Sequence, residues 1–304
     1  MIFRLMAVVM TLGIALAFAF GARSQAAPEG TILVAVSILP QVEFVKSIGG
    51  EHIEILEMVP PNSSPEVYEP TPRQMKQLSG ARAYFKIGTR LDSELNLLGK
   101  LSSLNPGLKI IDCSNGVQLM EFSDDAGSAQ VAHNHGGPPQ TAGGADPHIW
   151  NSLRNAKIII DNMAAGLIEI DARHKSDYTR NAQAYKDSLD RLDKEIAAMF
   201  SAKKNRHFIV CHPAWGYFAR DYKLTQLAIE SEGKEPSISD IKKLVDLART
   251  YPLKTVFVSP QFNAESARAI AREIGGTIEY VDPLAGAFLE NMKAVAAKIA
   301  QSMQ

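Results

Sequence analysis

Hydrophobic residues along this chain follow two alternating periods. Short runs rich in β-branched residues predict eight strands. These runs span residues 31–39, 52–59, 83–88, 108–114, 207–212, 224–229, 255–259 and 277–282. The longer stretches between them show the three- and four-residue spacing of amphipathic helices. This alternation predicts an α/β fold with two lobes, each built on a four-stranded, mostly parallel sheet.

The longest helical pattern lies between the two sets of strands. From Lys175 to Lys204 apolar residues recur every three or four positions, without Gly or Pro. About 30 residues at 1.5 Å each make a rigid helix of roughly 45 Å. It would join an N-terminal lobe of residues 27–174 to a C-terminal lobe of residues 205–304.

Four other helices have clear sequence signatures. Thr71 before Pro72 is typical of a helix start, and Asn263 is a candidate cap for a helix that stops at Gly275. One apolar stripe follows Asn151, and it comprises Ala156, Ile159, Ile160, Met163 and Leu167. Another comprises Ile238, Ile241, Leu244, Val245 and Ala248. Each stripe predicts a helix with one buried face.

The first 26 residues have the pattern of an export signal. Arg4 precedes an apolar run from Leu5 to Phe20, and small and polar residues follow as far as Ala26. This order predicts a signal peptide over residues 1–26 that is cleaved in the mature protein. The alternative is a single membrane anchor, since the run is almost long enough to span a bilayer.

Residues 121–147 interrupt the alternation. They are acidic at first and then rich in Gly, Pro and Ala, with His133 and His135 among them. Such a composition predicts a long, mobile surface loop. Its two histidines either bind metal weakly or belong to a solvated linker without a role.

Composition limits the possible partners. The chain is 46% hydrophobic and 21% charged, with a formal net charge of −1. Because no basic stripe is available to neutralise phosphates, nucleic acid is not expected as a partner. The only cysteines, Cys113 and Cys211, either form a disulfide in an oxidising compartment or remain two buried thiols.

Four potential metal ligands stand where ligands bind in open α/β sheets, beyond the carboxyl ends of strands or at a helix entry. They are Glu66, His148, His212 and Asp282. Two imidazoles and two carboxylates suit a divalent transition metal, with zinc as the first candidate. Each residue alone also has an ordinary structural explanation: an exposed loop acid, a packing histidine, a strand-end histidine or an Asx turn.

Several segments resemble the metal-specific solute-binding proteins of ABC importers, a family that includes zinc-uptake and TroA-like proteins. They occur in the family's order and cover almost the whole predicted mature chain, and they read VAVSILPQVEFVKSIGG, PEVYEPTPRQ, DPHIW, YTRNAQAYKDSLDRLDKEI, VCHPAWGYFARDYKL, EPSISDIKKL and VDPLA. The pair DPHIW and HPAWGYF is the most specific. The resemblance implies a periplasmic protein that catalyses no reaction, binds Zn(II) and delivers it to a membrane permease.

The resemblance also implies a ligand set. The family's ligand positions match His148 in DPHIW, His212 in HPAWGYF and Asp282 in VDPLA, and zinc-type members have a histidine at the position of His212. The first family ligand, a histidine in the pattern His-x-Tyr-Glu-Pro, is replaced here by Glu66. Zinc-uptake members often carry a His-rich loop before DPH, and the loop around His133 and His135 resembles a short version.

Two alternatives to zinc transport stay open at this point. One is a manganese- or iron-binding protein of the same transporter class, because Glu66 makes the ligand set harder. The other is a secreted zinc hydrolase, for which Glu69 is the obvious candidate base. We expect a non-enzymatic monomer.

The remaining histidines are not expected in the site. His52 and His174 are predicted at the surface. His207 lies five residues before His212 on the same strand, roughly 16 Å away at 3.3 Å per residue.

Overall fold

The computed structural model describes residues 30–89, 105–121, 144–230 and 236–303, together with six residues between 91 and 101. The predicted signal peptide (residues 1–26) and the loop histidines His133 and His135 lie outside the described residues. Within the described part of the chain, no helix is both long enough and apolar enough to cross a membrane.

Two four-stranded sheets form the centres of two lobes, as the sequence predicts. The N-terminal sheet contains β1 (Ile32–Val36), β2 (Ile53–Glu57), β3 (Ala83–Lys86) and β4 (Lys109–Asp112), in the order β2-β1-β3-β4. The C-terminal sheet contains β5 (His207–Val210), β6 (Thr225–Ala228), β7 (Thr255–Val258) and β8 (Thr277–Tyr280), in the order β6-β5-β7-β8. Every strand pair is parallel. The carboxyl ends within each sheet therefore lie along one edge.

Eight helices whose two ends lie within the described residues surround the sheets. They are α1 (Leu39–Gly49), α2 (Pro72–Leu78), α3 (Leu153–Ile170), α4 (Lys175–Ser201), α5 (Gly216–Tyr222), α6 (Ile238–Thr250), α7 (Glu265–Glu273) and α8 (Phe288–Ser302). Thr71 caps α2 as predicted, because its side chain accepts a hydrogen bond from the backbone N–H of Gln74. Asn263 accepts one from the N–H of Glu265 at the start of α7.

The long helix α4 holds the two lobes together. It has 27 residues, or about 40 Å at 1.5 Å per residue. It packs against α1 and α3 on one side and against α8 on the other. One stripe of its surface is buried, and it comprises Tyr178, Ala182, Tyr185, Leu189, Leu192, Ile196 and Phe200. This stripe belongs to a core cluster that extends through both lobes, which explains how one helix can act as a rigid connection.

Element ends differ from the predicted ones in several places. Leu39 begins α1 rather than ending β1, with Pro40 in the first helical turn, where its missing N–H costs no helical bond. Ile238 was expected on the buried stripe of α6 but is 88% exposed. It occupies the first turn of α6, before the positions that enter the core at Leu244, Val245 and Ala248.

The structure answers the question of the cysteines and describes the two ends of the predicted loop. Cys113 and Cys211 are both buried and form no disulfide. At the two ends of the predicted loop over 121–147, Glu121 and Ala145 form an antiparallel bridge. The N–H of Asp146 also donates to the carbonyl of Met120 at 2.8 Å. The segment that carries His148 is thus anchored from residue 145 onward.

Candidate metal centre

Three of the four predicted ligands meet at one point between the lobes. One ligand atom each from Glu66, His148 and His212 lies within 4.8 Å of the other two. The Nε2 atoms of the two histidines are 3.1 Å apart. Glu66 Oε1 is 3.3 Å from Nε2 of His212 and 4.0 Å from Nε2 of His148. These three atoms face one another at a spacing that a single cation could bridge. We call the three residues the ligand group.

Glu66 comes from the segment between β2 and α2. Its N–H donates to Ser64 Oγ at 3.2 Å. The same segment is fastened by Gln74 in the first turn of α2. The Gln74 side chain accepts from the Tyr68 hydroxyl at 2.8 Å and donates to the carbonyl of Met58 at 2.7 Å. Glu66 is the most exposed member of the ligand group, with 30% of its side chain accessible.

His148 is held by its own motif and by the opposite lobe. It precedes a short 3₁₀ helix, Ile149–Asn151, within DPHIWN. Nε1 of Trp150 donates to the carbonyl of Pro283 at 2.7 Å, and Nδ2 of Asn151 donates to the carbonyl of Ala214 at 3.0 Å. Both acceptors belong to turns of the C-terminal lobe. His148 therefore sits on a segment that is bonded directly to the lobe that carries His212.

A buried carboxylate stands behind His148. Asp146 Oδ1 accepts from the His148 backbone N–H at 2.9 Å and lies 2.8 Å from His148 Nδ1. An ionised carboxylate can only accept, so Nδ1 carries the proton. The lone pair of Nε2 then points to the centre of the ligand group. A second carboxylate oxygen, Glu230 Oε1, lies 2.7 Å from His212 Nδ1 and fixes that ring in the same way.

An aromatic ring covers His212. Phe262, in the turn after β7, stacks on the imidazole with ring centroids 4.1 Å apart and an interplanar angle of 17°. Only 3% of the His212 side chain remains exposed. The stacking and the bond to Glu230 together restrict rotation of the ring about its side-chain torsions.

The charges of the group favour a cation at its centre. Burial alone would lower the pKa of His212, but hydrogen bonds to Glu230 and Glu66, and the charges of both, raise it to about 9. Burial would raise the pKa of Glu66, but its hydrogen bond to His212 and the charges of His212 and His148 lower it below the ordinary value. At neutral pH the metal-free group therefore holds a proton on His212. A divalent cation that binds there replaces that proton.

Asp282, the fourth predicted ligand, lies outside the ligand group. It follows β8, and its Oδ1 accepts from Gln261 Nε2 and from the N–H of Leu284, each at 2.8 Å. Its backbone carbonyl accepts from Asn291 Nδ2 at 2.7 Å. The turn that carries it is still close to the group, because the next residue, Pro283, is bonded to Trp150.

His52 and His174, predicted at the surface, keep 30% and 29% of their side chains exposed. His52 and His174 are each partly buried and stack on one another, with centroids 3.7 Å apart. His52 Nε2 lies 3.1 Å from Asp177 Oδ2, and His174 Nδ1 lies 2.6 Å from Asp171 Oδ2. The two rings meet because His174 ends the turn before α4 and His52 is the residue before β2, and these two segments pack together. His207 stacks on Tyr251 at the amino end of β5 and does not belong to the ligand group.

Three functional residues were not predicted from the sequence. Asp146 stands two residues before His148 in the DPH motif, which is a local pattern that could have identified it. Glu230 follows β6, so the rule that singled out the other strand ends applies to it as well. Phe262 has no such pattern, since only the order of strands in the sheet brings it to His212.

Comparison with known proteins identifies the family. Residues 34–302 match the family model described as zinc-uptake complex component A, periplasmic. The chain belongs to this family. The match confirms the expected zinc-binding, solute-binding component of an ABC importer, in a family that is periplasmic. The family is a solute-binding component of transport, which is not an enzyme class.

Solved structures of the same family share the fold. A crystal structure of ZnuA is 39% identical with a TM-score of 0.81, covering 90% of this chain and 100% of that chain. A ZnuA deletion mutant with zinc bound is also 39% identical, with a TM-score of 0.79, covering 90% of this chain and 98% of that one.

Curated relatives are more distant. A putative metal-binding protein of Treponema pallidum is 28% identical over 242 residues, which cover 79% of this chain and 75% of that protein. The zinc-binding protein AdcA of Streptococcus pyogenes serotype M3 is 25% identical over 284 residues. That alignment covers 89% of this chain but only 54% of AdcA, so this chain corresponds to about half of AdcA.

Proposed function

We propose that this chain captures Zn(II) between its lobes with Glu66, His148 and His212, adds Asp282 as a fourth ligand, and delivers the ion to a membrane permease. The observation that carries the proposal is the ligand group itself. Donor atoms from both lobes converge within 4.8 Å, and each histidine has its Nδ1 bonded to a carboxylate. Carboxylate–histidine pairs of this kind are typical of zinc sites, where they orient the ring and raise its basicity.

The donor set fits zinc. Two imidazole nitrogens and one carboxylate oxygen make three of the four positions of a tetrahedral zinc site. A site of mixed nitrogen and oxygen donors also binds zinc more tightly than manganese, by the Irving–Williams order. The zinc-bound ZnuA mutant supports the same assignment for a protein of the same fold.

Manganese or iron is the second candidate, because Glu66 replaces an imidazole by a harder oxygen donor. A hydrolytic role has less support. Glu69, the candidate base, is exposed and does not belong to the ligand group.

We further propose that residues 1–26 are cleaved on export, that the mature protein is a monomer of two lobes joined by α4, and that His133 and His135 bind zinc weakly.

Competition titration of the mature protein with a zinc chelator tests the ligand assignment. We expect His148→Ala and His212→Ala each to abolish tight zinc binding, because either change leaves an incomplete set of ligands. Glu66→Ala should weaken binding, whereas Glu66→His should retain it and widen the preference for zinc over manganese. His207→Ala, outside the ligand group, is the matched control.

Wild-type affinity in either histidine variant would contradict the assignment. Deleting residues 126–144 separates the loop from the site, because it should remove weak additional zinc equivalents and leave the tight site intact. Loss of tight binding in that deletion would contradict the proposed auxiliary role of the loop.

A further inference from the structure

The turn after β7 touches two proposed ligands at once. In the C-terminal sheet β7 lies between β5 and β8. The turn is closed by a hydrogen bond from the N–H of Phe262 to the carbonyl of Ser259, at 3.2 Å. On one side Phe262 stacks on His212, which follows β5. On the other side Gln261 donates to Asp282, which follows β8.

The bond from Gln261 changes what Asp282 can offer a metal. Asp282 Oδ1 already accepts two N–H groups, from Gln261 Nε2 and from the Leu284 backbone. A carboxylate oxygen has about two lone-pair positions, so Oδ1 is saturated. Within the described residues, Oδ2 has no hydrogen bond or ion pair. Asp282 can therefore present a single oxygen to a metal unless one of these bonds breaks.

The amide of Gln261 is not explained by packing. Its Oε1 is buried and has no hydrogen-bond partner among the described residues. Only the amide nitrogen can donate to a carboxylate, so the orientation of the amide is fixed by Asp282. Burying an unpaired carbonyl costs free energy that an apolar side chain of the same size would avoid. The contribution that offsets this cost is the hydrogen bond from Gln261 Nε2 to Asp282 Oδ1.

We propose that Gln261 is a specificity-determining residue that makes Asp282 a one-oxygen ligand and thereby favours zinc over manganese. This inference rests on the proposed function. Zinc in proteins is most often four-coordinate and tetrahedral, whereas harder ions accept larger shells in which carboxylates bind through both oxygens. With Oδ1 occupied, Asp282 completes a four-coordinate shell with Glu66, His148 and His212. Without the Gln261 donor, both oxygens of Asp282 become available and a larger shell can form.

The test uses Gln261→Met in the mature protein, because methionine keeps the length of glutamine and lacks the donor. Zn(II) and Mn(II) affinities are measured by competition, and Co(II) serves as a spectroscopic probe of coordination number. We expect the zinc-to-manganese affinity ratio to fall about tenfold, the size typical of coupling between neighbouring groups. We also expect the intense visible bands of four-coordinate Co(II) to weaken. Gln226→Met, which removes an amide that accepts from the backbone N–H of Trp215 at 2.7 Å, is the matched control.

A second substitution assigns the effect to Asp282. In the Asp282→Asn background, Gln261→Met should no longer change the ratio or the Co(II) spectrum, because the carboxylate on which Gln261 acts is gone. If the metal-free Gln261→Met protein unfolds at a clearly lower temperature, Gln261→Leu provides the same loss of the donor with a different side chain.

The outcomes separate this inference from the proposed function. An unchanged ratio and spectrum in both Gln261 variants overturns the specificity role, as does an equal effect in the Asp282→Asn background. Neither result affects zinc capture by wild type. Failure of the wild-type protein to bind zinc, or tight binding in His148→Ala, would instead overturn the proposed function itself.

Discussion

Asp146 offers the most direct test of how the ligand group is organised. Its side chain is 1% exposed, and one oxygen serves both the backbone N–H and Nδ1 of His148. Asp146→Asn keeps the size of the side chain and an oxygen that can accept both bonds, but it removes the negative charge. Asp146→Ala removes the acceptor as well. The two variants therefore separate the charge from the geometry.

The expected magnitude follows from these contacts. Loss of a residue that orients a metal ligand typically weakens metal affinity about 10–100-fold. Asp146→Asn should fall near the lower end, about tenfold or roughly 1.4 kcal/mol, since the ring keeps its orientation and loses only the charge-assisted part of the bond. Asp146→Ala should approach about 100-fold, because Nδ1 is left buried without an acceptor and the ring is free to rotate.

Zinc affinity is measured by competition with a chelator, and the unfolding temperature of each metal-free variant serves as a check on folding. Glu230→Gln is the parallel change on the other histidine, and we expect it to resemble Asp146→Asn. The reasoning is refuted if Asp146→Ala binds zinc like wild type while His148→Ala does not. Such a pair of results would mean that His148 ligates without help from the carboxylate behind it.

Three further predictions test neighbouring parts of the structure. Phe262→Ala should weaken zinc binding roughly fivefold in the same competition assay, because a stacked ring contributes about 1 kcal/mol to fixing His212; an unchanged affinity would contradict this. Burial would raise the pKa of Asp171, but hydrogen bonds from His174, Arg173 and Tyr178 outweigh it and lower the pKa. The ionised carboxylate therefore stabilises the folded protein above the ordinary pKa of 3.8, and this contribution is lost as the pH falls through the lowered pKa. Urea unfolding should therefore show Asp171→Asn less stable than wild type by about 1–3 kcal/mol at pH 7, with the difference shrinking in acid; a difference independent of pH would count against this account. Leu189→Ala, in the buried stripe of α4, should cost about 2–5 kcal/mol by urea unfolding, and a loss below about 1 kcal/mol would show that the stripe packs loosely.

Much of the fold could be predicted because its periodic signals are long. The stripe of α4 spans seven buried residues, so an error at one position would not change the assignment. Single residues at element ends carry less information. Ile238 fits the stripe of α6 by spacing, yet the first turn of that helix extends beyond the core. Leu39 continues an apolar run, but the proline that follows it suits a helix start.

The candidate site was predictable only in part, for a related reason. Sequence position identifies residues beyond strand ends or at a helix entry, and three of those meet in the ligand group. It does not give the order of strands within a sheet. Glu230 reaches His212 because β6 pairs with β5, and Phe262 reaches it because β7 pairs with β5 on the other side. The contact between His52 and His174, 122 positions apart in the chain, likewise depends on packing that no local pattern contains.

By the resemblance of PEVYEP to the family pattern His-x-Tyr-Glu-Pro, Glu66 stands at a histidine position, and a carboxylate there is consistent with the charges around it. Asp146 and Glu230 are each bonded to the Nδ1 atom of one histidine, His148 and His212 respectively. The two imidazoles at the centre therefore already have two carboxylates beside them. Glu66 adds a third carboxylate directly at the centre, and with it the metal-free group would be strongly anionic if both rings were neutral. Burial would lower the pKa of His212, but its hydrogen bonds to Glu230 and Glu66 and the charges of both raise it to about 9, which favours a positive charge on this ring beside Glu66. Glu66 thus favours a positive charge at the place that we assign to the metal.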